Sequence, residues 1–436
     1  MSTFEVKVRK ITIEPHPDAD LIEVGYVDDF QVVVGKGQFK TGDLCVYIPE
    51  ASIVPDWLIE QMGLVGKLAG SAHNRVKAIR LRNITSQGLC LQLADMTNRN
   101  DRLPVDGPYI PGMRYAVIRN QTTANVVSEG AEVADFYGIV KYVPTVPVHM
   151  AGEVCNQFGH TLSYDIENIK KYPDIFQEGE LVEFTEKIHG TWACFGQYPG
   201  LDHPELFEGD TIVTSKGLSD QGLAFKFNEN NANNLYVKAF YANFLDGDGE
   251  SMLTRIRHGM YNADGESMVT RIRHGLYSAG LLDADGELML TKIRHGMYNA
   301  GWLREGDPLY VLGEIFGAGV QDLVYGHSSP VVRIFDVYAG FPGAGRYLDP
   351  SERNTIAYDL GIATVPVLYI GPFSKEILYE HTNGMETVSG KSVHIREGVV
   401  VTPLIGRRVA SIGRVKLKSL SDAYLLRKNK NATEYT

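Results

Sequence analysis

Over the first 120 residues the apolar positions come in short alternating runs. FEVKVRKI, LIEVGYV, QVVVGKG and DLCVYIP are rich in Val, Ile and Tyr, and Gly, Asp or Pro breaks them at turn spacing. Alternation with period two predicts strands with one buried face, and closely spaced short strands predict a small β-barrel over residues 1–121. A connector is expected over 122–163, where YVPTVPVHM, with Pro144 and Pro147, should run extended. From 164 to the end, LVEFT, LYVLGEIFG, VVRIFDVYAG and REGVVVTP predict the buried strands of a second domain.

Between 247 and 301 the period changes. DGESMLTRIRHGMYNA recurs as DGESMVTRIRHGLYSA and DGELMLTKIRHGMYNA. In the second copy Met268, Val269, Ile272 and Leu276 fall at helical spacing, Glu266 sits in the first turn, and Gly275 stands where a helix ends. Each copy predicts a short amphipathic helix and a turn. The copies form either a stacked array or a tandem duplication within a surface region, and their unequal spacing favours the duplication. His258, His274 and His295 could ligate a metal, and the RIRH groups could grip RNA; a solvated helix face accounts for both more simply.

The expected fold class is therefore α+β: an N-terminal β-barrel, then antiparallel sheets with flanking helices, plus a helical repeat insertion. EPHPDADLIEV resembles the opening of OB-fold tRNA-binding modules, which makes the OB type the natural candidate for the barrel. His16 and Asp18 within it read as a turn before they read as an RNA contact.

Charge narrows the picture. The net charge of −11 excludes a protein that binds duplexes through an overall basic excess. Phosphate contacts would have to come from local clusters: Arg75, Lys77, Arg80 and Arg82, or Lys416, Lys418, Arg427 and Lys428. The four cysteines are scattered, with no CxxC pair and no zinc-ligand spacing. Together with an N-terminus lacking a secretory apolar core and no long apolar run, this predicts a cytoplasmic chain away from membranes.

Chemistry concentrates at strand ends. In EKIHGTW (186–192), Lys187 follows an apolar strand, so its stem can pack while its amine faces a cleft; lysine becomes a nucleophile when burial or a neighbouring cation favours its neutral form. His189 and Gly190 follow as a tight turn. TIVTSKG supplies Ser215 and Lys216, LYVLGEIFG supplies Glu314, and VVRIFDVYAG supplies Phe335 and Asp336. REGVVVTP supplies Glu397, while GRVKLKS puts Lys416 and Lys418 on one strand face. A nucleophilic lysine, two carboxylates and two further lysines suit the transfer of a nucleotidyl group.

In this order the segments resemble motifs I, Ia, III, IIIa, IV and V of the covalent nucleotidyltransferase superfamily, which includes ATP-dependent RNA and DNA ligases and capping enzymes. The resemblance covers about 164–420. The KxHG form, with His189 where much of the superfamily has Asp, resembles the RNA ligase 2 branch. An OB-like domain placed before the transferase domain is similar to RNA ligases rather than capping enzymes. The resemblance implies an adenylyltransferase domain and ATP-dependent joining of RNA ends, through AMP carried on Lys187. It implies that Lys416 and Lys418 contact the α-phosphate, and that Glu186, His189, Gly190, Ser215, Lys216 and Glu314 bind the nucleotide. Phe335 would stack on adenine or serve as a core aromatic. Glu314 and Glu397 would hold Mg2+ or Mn2+, and Lys170 and Lys171 would reach the triphosphate or remain solvated. RNA is the expected partner and a monomer the expected state. A DNA ligase, a GTP-using capping enzyme and a silent RNA-binding protein are the alternatives.

Overall fold

The computed structural model describes residues 4–95, 114–245, 251–253 and 306–427. The repeats, apart from Ser251–Leu253, lie outside the described residues, as do His258, His274, His295 and Lys428.

The front of the chain folds as the alternation predicts. Lys7–Lys10, Leu44–Ile48 and Leu89–Gln92 form one antiparallel sheet, and Thr12–Pro15, Ile22–Val27 and Phe30–Gly35 form a meander. Val8, Val46 and Leu91 fill one apolar core; Ile11, Val32 and Phe39 fill a second. His16 is buried in its turn and accepts the Asp18 backbone N–H on Nδ1 at 3.0 Å. Arg80 and Arg82 project into solvent around the hairpin of Ile79–Leu81 and Ile84–Ser86, while Arg75 lies over the Tyr142 ring, 4.3 Å from its centroid.

The stretch expected as a connector is divided. Tyr115–Arg119 pairs with Ala124–Ser128, and a short helix follows at Ala134–Tyr137. Val127, Val133, Tyr137 and Ile139 then pack into the same core as Val8. Apolar alternation in ANVVS and the apolar residues of VADFYGIV outweigh the expectation drawn from the prolines downstream. Val143, Val146 and Val148, among those prolines, stay exposed. Further on, Val154–Asn156 joins the second half by pairing with Leu223–Phe225.

Two five-stranded sheets make up that second half. The first has the order Glu167–Asn168, Leu417–Leu420, Gly398–Pro403, Leu181–Lys187, Val367–Pro372; its outermost pair, Glu167–Asn168 with Leu417–Leu420, is parallel and the other pairs are antiparallel. The second runs Thr211–Ser215, Thr191–Gln197, Leu309–Phe316, Val331–Ala339, Arg346–Tyr347, all antiparallel. Helices Leu235–Asn243 and Pro350–Leu360 cover the second sheet, and Lys375–Thr382 packs on the first. Asp349 and Glu352 close a capping box at the start of Pro350–Leu360, satisfying backbone N–H groups that the first turn leaves without partners. Among the described residues no helix is long and apolar enough to cross a membrane.

Candidate active site

Strand Leu181–Lys187 lies inside the first sheet, flanked by strands on both sides. Its side chains alternate: Val182 and Phe184 enter the apolar core, while Glu183, Thr185 and Lys187 take the other face. Beyond Lys187 the chain passes through Ile188–Gly190 and enters the second sheet as Thr191–Gln197. Only glycine fits at the end of that passage. A Cβ on Gly190 would collide with the Ile315 carbonyl oxygen and come within 2.9 Å of Glu314 Cγ.

A cavity opens between the two sheets. The first sheet and its margins contribute Lys187, Glu397, Lys416 and Lys418; the second contributes Trp192, Glu314 and Phe335. Tyr164, Asp165, His189 and Lys216 complete the polar and aromatic lining. Lys187 Nζ lies 2.6 Å from Glu397 Oε1, with a quarter of the lysine side chain exposed and the glutamate buried. Among the described residues Glu397 Oε2 has no hydrogen-bond partner. Burial pushes the Glu314 carboxyl up to about 8; Lys187 pulls it down, Glu397 pushes it up, and a hydrogen bond from the Gly190 backbone favours the charged form. Two carboxyls that face one cavity, one with an orphaned oxygen and the other disfavoured as an anion, are the oxygen donors a hard divalent cation requires. The site fits Mg2+ or Mn2+.

One side of the cavity is backed by cations that share a buried carboxylate. Lys416 Nζ donates to Asp336 Oδ2 at 2.8 Å and to the Phe335 carbonyl at 3.1 Å. Arg414 grips the same carboxylate with two nitrogens, at 2.6 and 3.2 Å, and the Tyr164 hydroxyl donates to it at 3.1 Å. Burial alone would raise Asp336, but Arg414 and Lys416 together hold it down at about 2. Burial pushes Lys416 down to about 8 despite Asp336, because that single carboxylate is shared with Arg414. Phe335 packs beside Tyr164, centroids 5.4 Å apart, and both rings line the cavity.

His189 is fixed on both ring nitrogens. Nε2 lies 2.7 Å from Asp322 Oδ1, and Nδ1 lies 2.9 Å from the Tyr424 hydroxyl. Its backbone N–H donates to the Tyr325 hydroxyl at 2.6 Å. Beside the strand Leu181–Lys187, Arg353 makes a bidentate pair with Glu183 at 2.9 and 3.0 Å, both side chains fully buried.

The structure gathers Lys187, His189, Gly190, Lys216, Glu314, Phe335, Glu397, Lys416 and Lys418 around one cavity. The Lys216 amine is held there by Asp165 at 2.9 Å. Glu186 also borders the cavity, but its carboxylate takes its hydrogen bonds from the Thr387 backbone and hydroxyl, at 2.8 and 2.6 Å, on the face of the strand opposite Lys187. The remaining expected residues stand differently. Ser215 precedes the helix Lys216–Asp220 and does not line the cavity. Lys170 donates to Gln87 of the front domain and Lys171 pairs with Glu167 at 2.9 Å, so neither lines the cavity.

Several residues here escaped the sequence reading: Glu183, Asp322, Arg353, Arg414 and Tyr424. Arg414 and Glu183 were within reach, since each keeps the period-two pattern of Lys416 and Lys187. Asp322, Arg353 and Tyr424 carry no such signal.

A family model described as RNA ligase matches residues 180–418, more than half of the chain. A model described as an OB-fold domain matches residues 5–93. Among solved structures, a variant of Naegleria gruberi RNA ligase with AMP and Mn is similar at 20% identity, covering 97% of this chain and 98% of that one, with TM-score 0.62. Naegleria gruberi RNA ligase with PPi matches at 20% identity over 97% and 98%, with TM-score 0.61. A variant of it with ATP and Mn covers 96% and 98% at the same identity and score. No curated protein matches. The domain order, the site at the seam of two sheets and the family match together place this chain in the RNA ligase family, with an OB-fold domain at its front.

Proposed function

We propose that the chain joins RNA ends using ATP, with Lys187 as the amine that carries AMP. The observation that carries this reading is the Lys187 amine at a cavity it shares with Glu314, Glu397, Lys416 and Lys418. The similar Naegleria structures with ATP, AMP and Mn support ATP as co-substrate and Mn2+ or Mg2+ as cation.

In this mechanism the Lys187 Nζ lone pair attacks the ATP α-phosphorus, the bond to the β-phosphate oxygen breaks, and pyrophosphate leaves. An RNA 5′-phosphate then takes the AMP from the lysine. Finally an RNA 3′-hydroxyl attacks the activated 5′-phosphate and AMP departs. Alignment and charge stabilisation supply most of the acceleration in such transfers. Lys416 and Lys418 meet the charge on the α-phosphate, Phe335 and Tyr164 flank the base, and Glu314 faces the ribose or the cation. Glu314 and Glu397 would hold the divalent cation, which would supply positive charge near the phosphates. Before attack, the Glu397 carboxylate must release the lysine ammonium, whose proton passes to solvent through the exposed part of the side chain. The reading takes the chain as a cytoplasmic monomer acting on broken RNA in repair.

The test is incubation with α-labelled ATP and Mn2+ or Mg2+. Label should attach to the chain and be absent from Lys187→Ala. Retention of label by that variant, or labelling by GTP in place of ATP, overturns the reading. Nicked substrates with ribose or deoxyribose at the 3′ end then separate RNA from DNA joining.

A further inference from the structure

Outside the ligase cavity, Cys155, His203 and Glu205 bring a thiol, an imidazole and a carboxylate within 4.8 Å of one another. None of the three lines the cavity. We propose that they form a binding site for a borderline-soft divalent cation, zinc above all, which clips the loop around 198–210 to the strand Val154–Asn156.

The donor set is the first argument. Sulfur, nitrogen and oxygen from three protein side chains, with a fourth position left to water, suit zinc; magnesium and calcium call for oxygen alone. Tetrahedral bonds of about 2.0–2.3 Å put ligand atoms roughly 3.3–3.8 Å apart, so side chains need close by only about an ångström.

Backbone placement is the second. His203 N–H donates to the Gly209 carbonyl at 2.7 Å, and the Glu205 carbonyl accepts from Phe227 N–H at 2.9 Å. Cys155 lies across the pairing of Val154–Asn156 with Leu223–Phe225, the strand that leads to Phe227. The loop is thus anchored to the same strand pair that presents the sulfur.

The present partners of the three groups are replaceable. Among the described residues Cys155 Sγ makes two long hydrogen bonds, to the Ala224 carbonyl and from Gln157 Nε2, each at 3.7 Å; the Gln157 amide could go on to donate to a thiolate. His203 Nδ1 meets the Glu205 backbone N–H at 3.3 Å, a weak bond to give up. Lys226 Nζ lies 2.6 Å from Glu205 Oε1, a cation already drawn to the carboxylate. On binding, the Cys155 thiol releases its proton to solvent and a sulfur–metal bond forms; no redox change is involved.

Cobalt(II) titration of the full chain tests this, because a thiolate on cobalt gives a near-ultraviolet charge-transfer band that the all-oxygen ligase site cannot produce. One thiolate-bound cobalt per chain is expected, displaced by zinc, with the band absent in Cys155→Ser. His203→Ala should weaken zinc binding by on the order of a hundredfold or more, since even outer contacts cost 10–100-fold, and should remove the zinc-dependent rise in Tm. Circular dichroism establishes that each variant is folded. No band in the folded parent, or a band that survives Cys155→Ser, overturns the proposal.

Discussion

Lys187 and Glu397 form an ion pair with 2.6 Å between Nζ and Oε1, at adjoining ends of neighbouring strands: Lys187 stands opposite Gly398, the residue after Glu397. The carboxylate that neutralises the resting amine is thus one of the two proposed to hold the cation. Glu397→Gln keeps the shape and removes that charge. Label transfer from ATP to the chain should fall by about two to three orders of magnitude, as when a positioned electrostatic group is lost, and the Mn2+ needed for half-maximal labelling should rise. Normal labelling at normal Mn2+ would refute the shared role.

Glu314 should make the cation-free chain less stable as pH rises. Its carboxyl titrates at about 8 in the fold against an ordinary value of 4.5. Below 4.5 both folded and unfolded chains hold the proton. Between 4.5 and 8 the unfolded chain loses it first, so stability falls, by about 3–5 kcal/mol across the window. Glu314→Gln should flatten that decline. Denaturant midpoints at pH 5, 6, 7 and 8 without divalent cations provide the check, and equal slopes in parent and variant would sink the idea.

Asp336 works in the opposite sense. Held at about 2 against an ordinary 3.8, it contributes stability that is present above 3.8 and lost as pH falls through 2, about 2 kcal/mol in all. Asp336→Asn leaves the buried Lys416 and the half-buried Arg414 without their counter-charge and should cost about 3–5 kcal/mol at pH 7. Urea unfolding of the variant measures it; a loss below about 1 kcal/mol would contradict the account.

The Glu183–Arg353 pair is fully buried, so its two halves should behave unlike their sum. Glu183→Gln should destabilise by about 3–5 kcal/mol, whereas Glu183→Leu with Arg353→Met should be near neutral or stabilising. The folded double variant should still accept label from ATP, because the pair supports the strand and touches no substrate. Thermal unfolding and labelling of both variants decide it.

Much of the candidate site was legible because strands advertise themselves. Lys187, Glu314 and Glu397 each adjoin or end an apolar run, and Lys416 and Lys418 obey period two, so placing the strands placed the side chains. The same rule, applied one step further, finds Arg414 and Glu183. It also puts Glu186 on the reverse face, where Thr387 binds it. Contacts between segments far apart in sequence leave no such trace. Asp322 and Tyr424 meet His189 from 133 and 235 residues away, and no local pattern announces either. The front domain's reach past 121 was readable in ANVVS, but the prolines at 144 and 147 drew the boundary too early. Likewise Cys155 stands far from His203 and Glu205 in sequence, which is why spacing gave no hint of a metal site.

The passage of the chain from one sheet to the other at Ile188–Gly190 gives the molecule the construction of a hinged book, with the Lys187 amine at its spine. One cover carries Lys187, Glu397, Lys416 and Lys418; the facing cover carries Glu314 and Phe335. Asp336 acts as the clasp, gripping Lys416 and Arg414 across the gap. Parting the covers to admit a bulky polynucleotide end would mean undoing that clasp, whereas the Lys187–Glu397 contact, which belongs to a single cover, could ride through the movement intact.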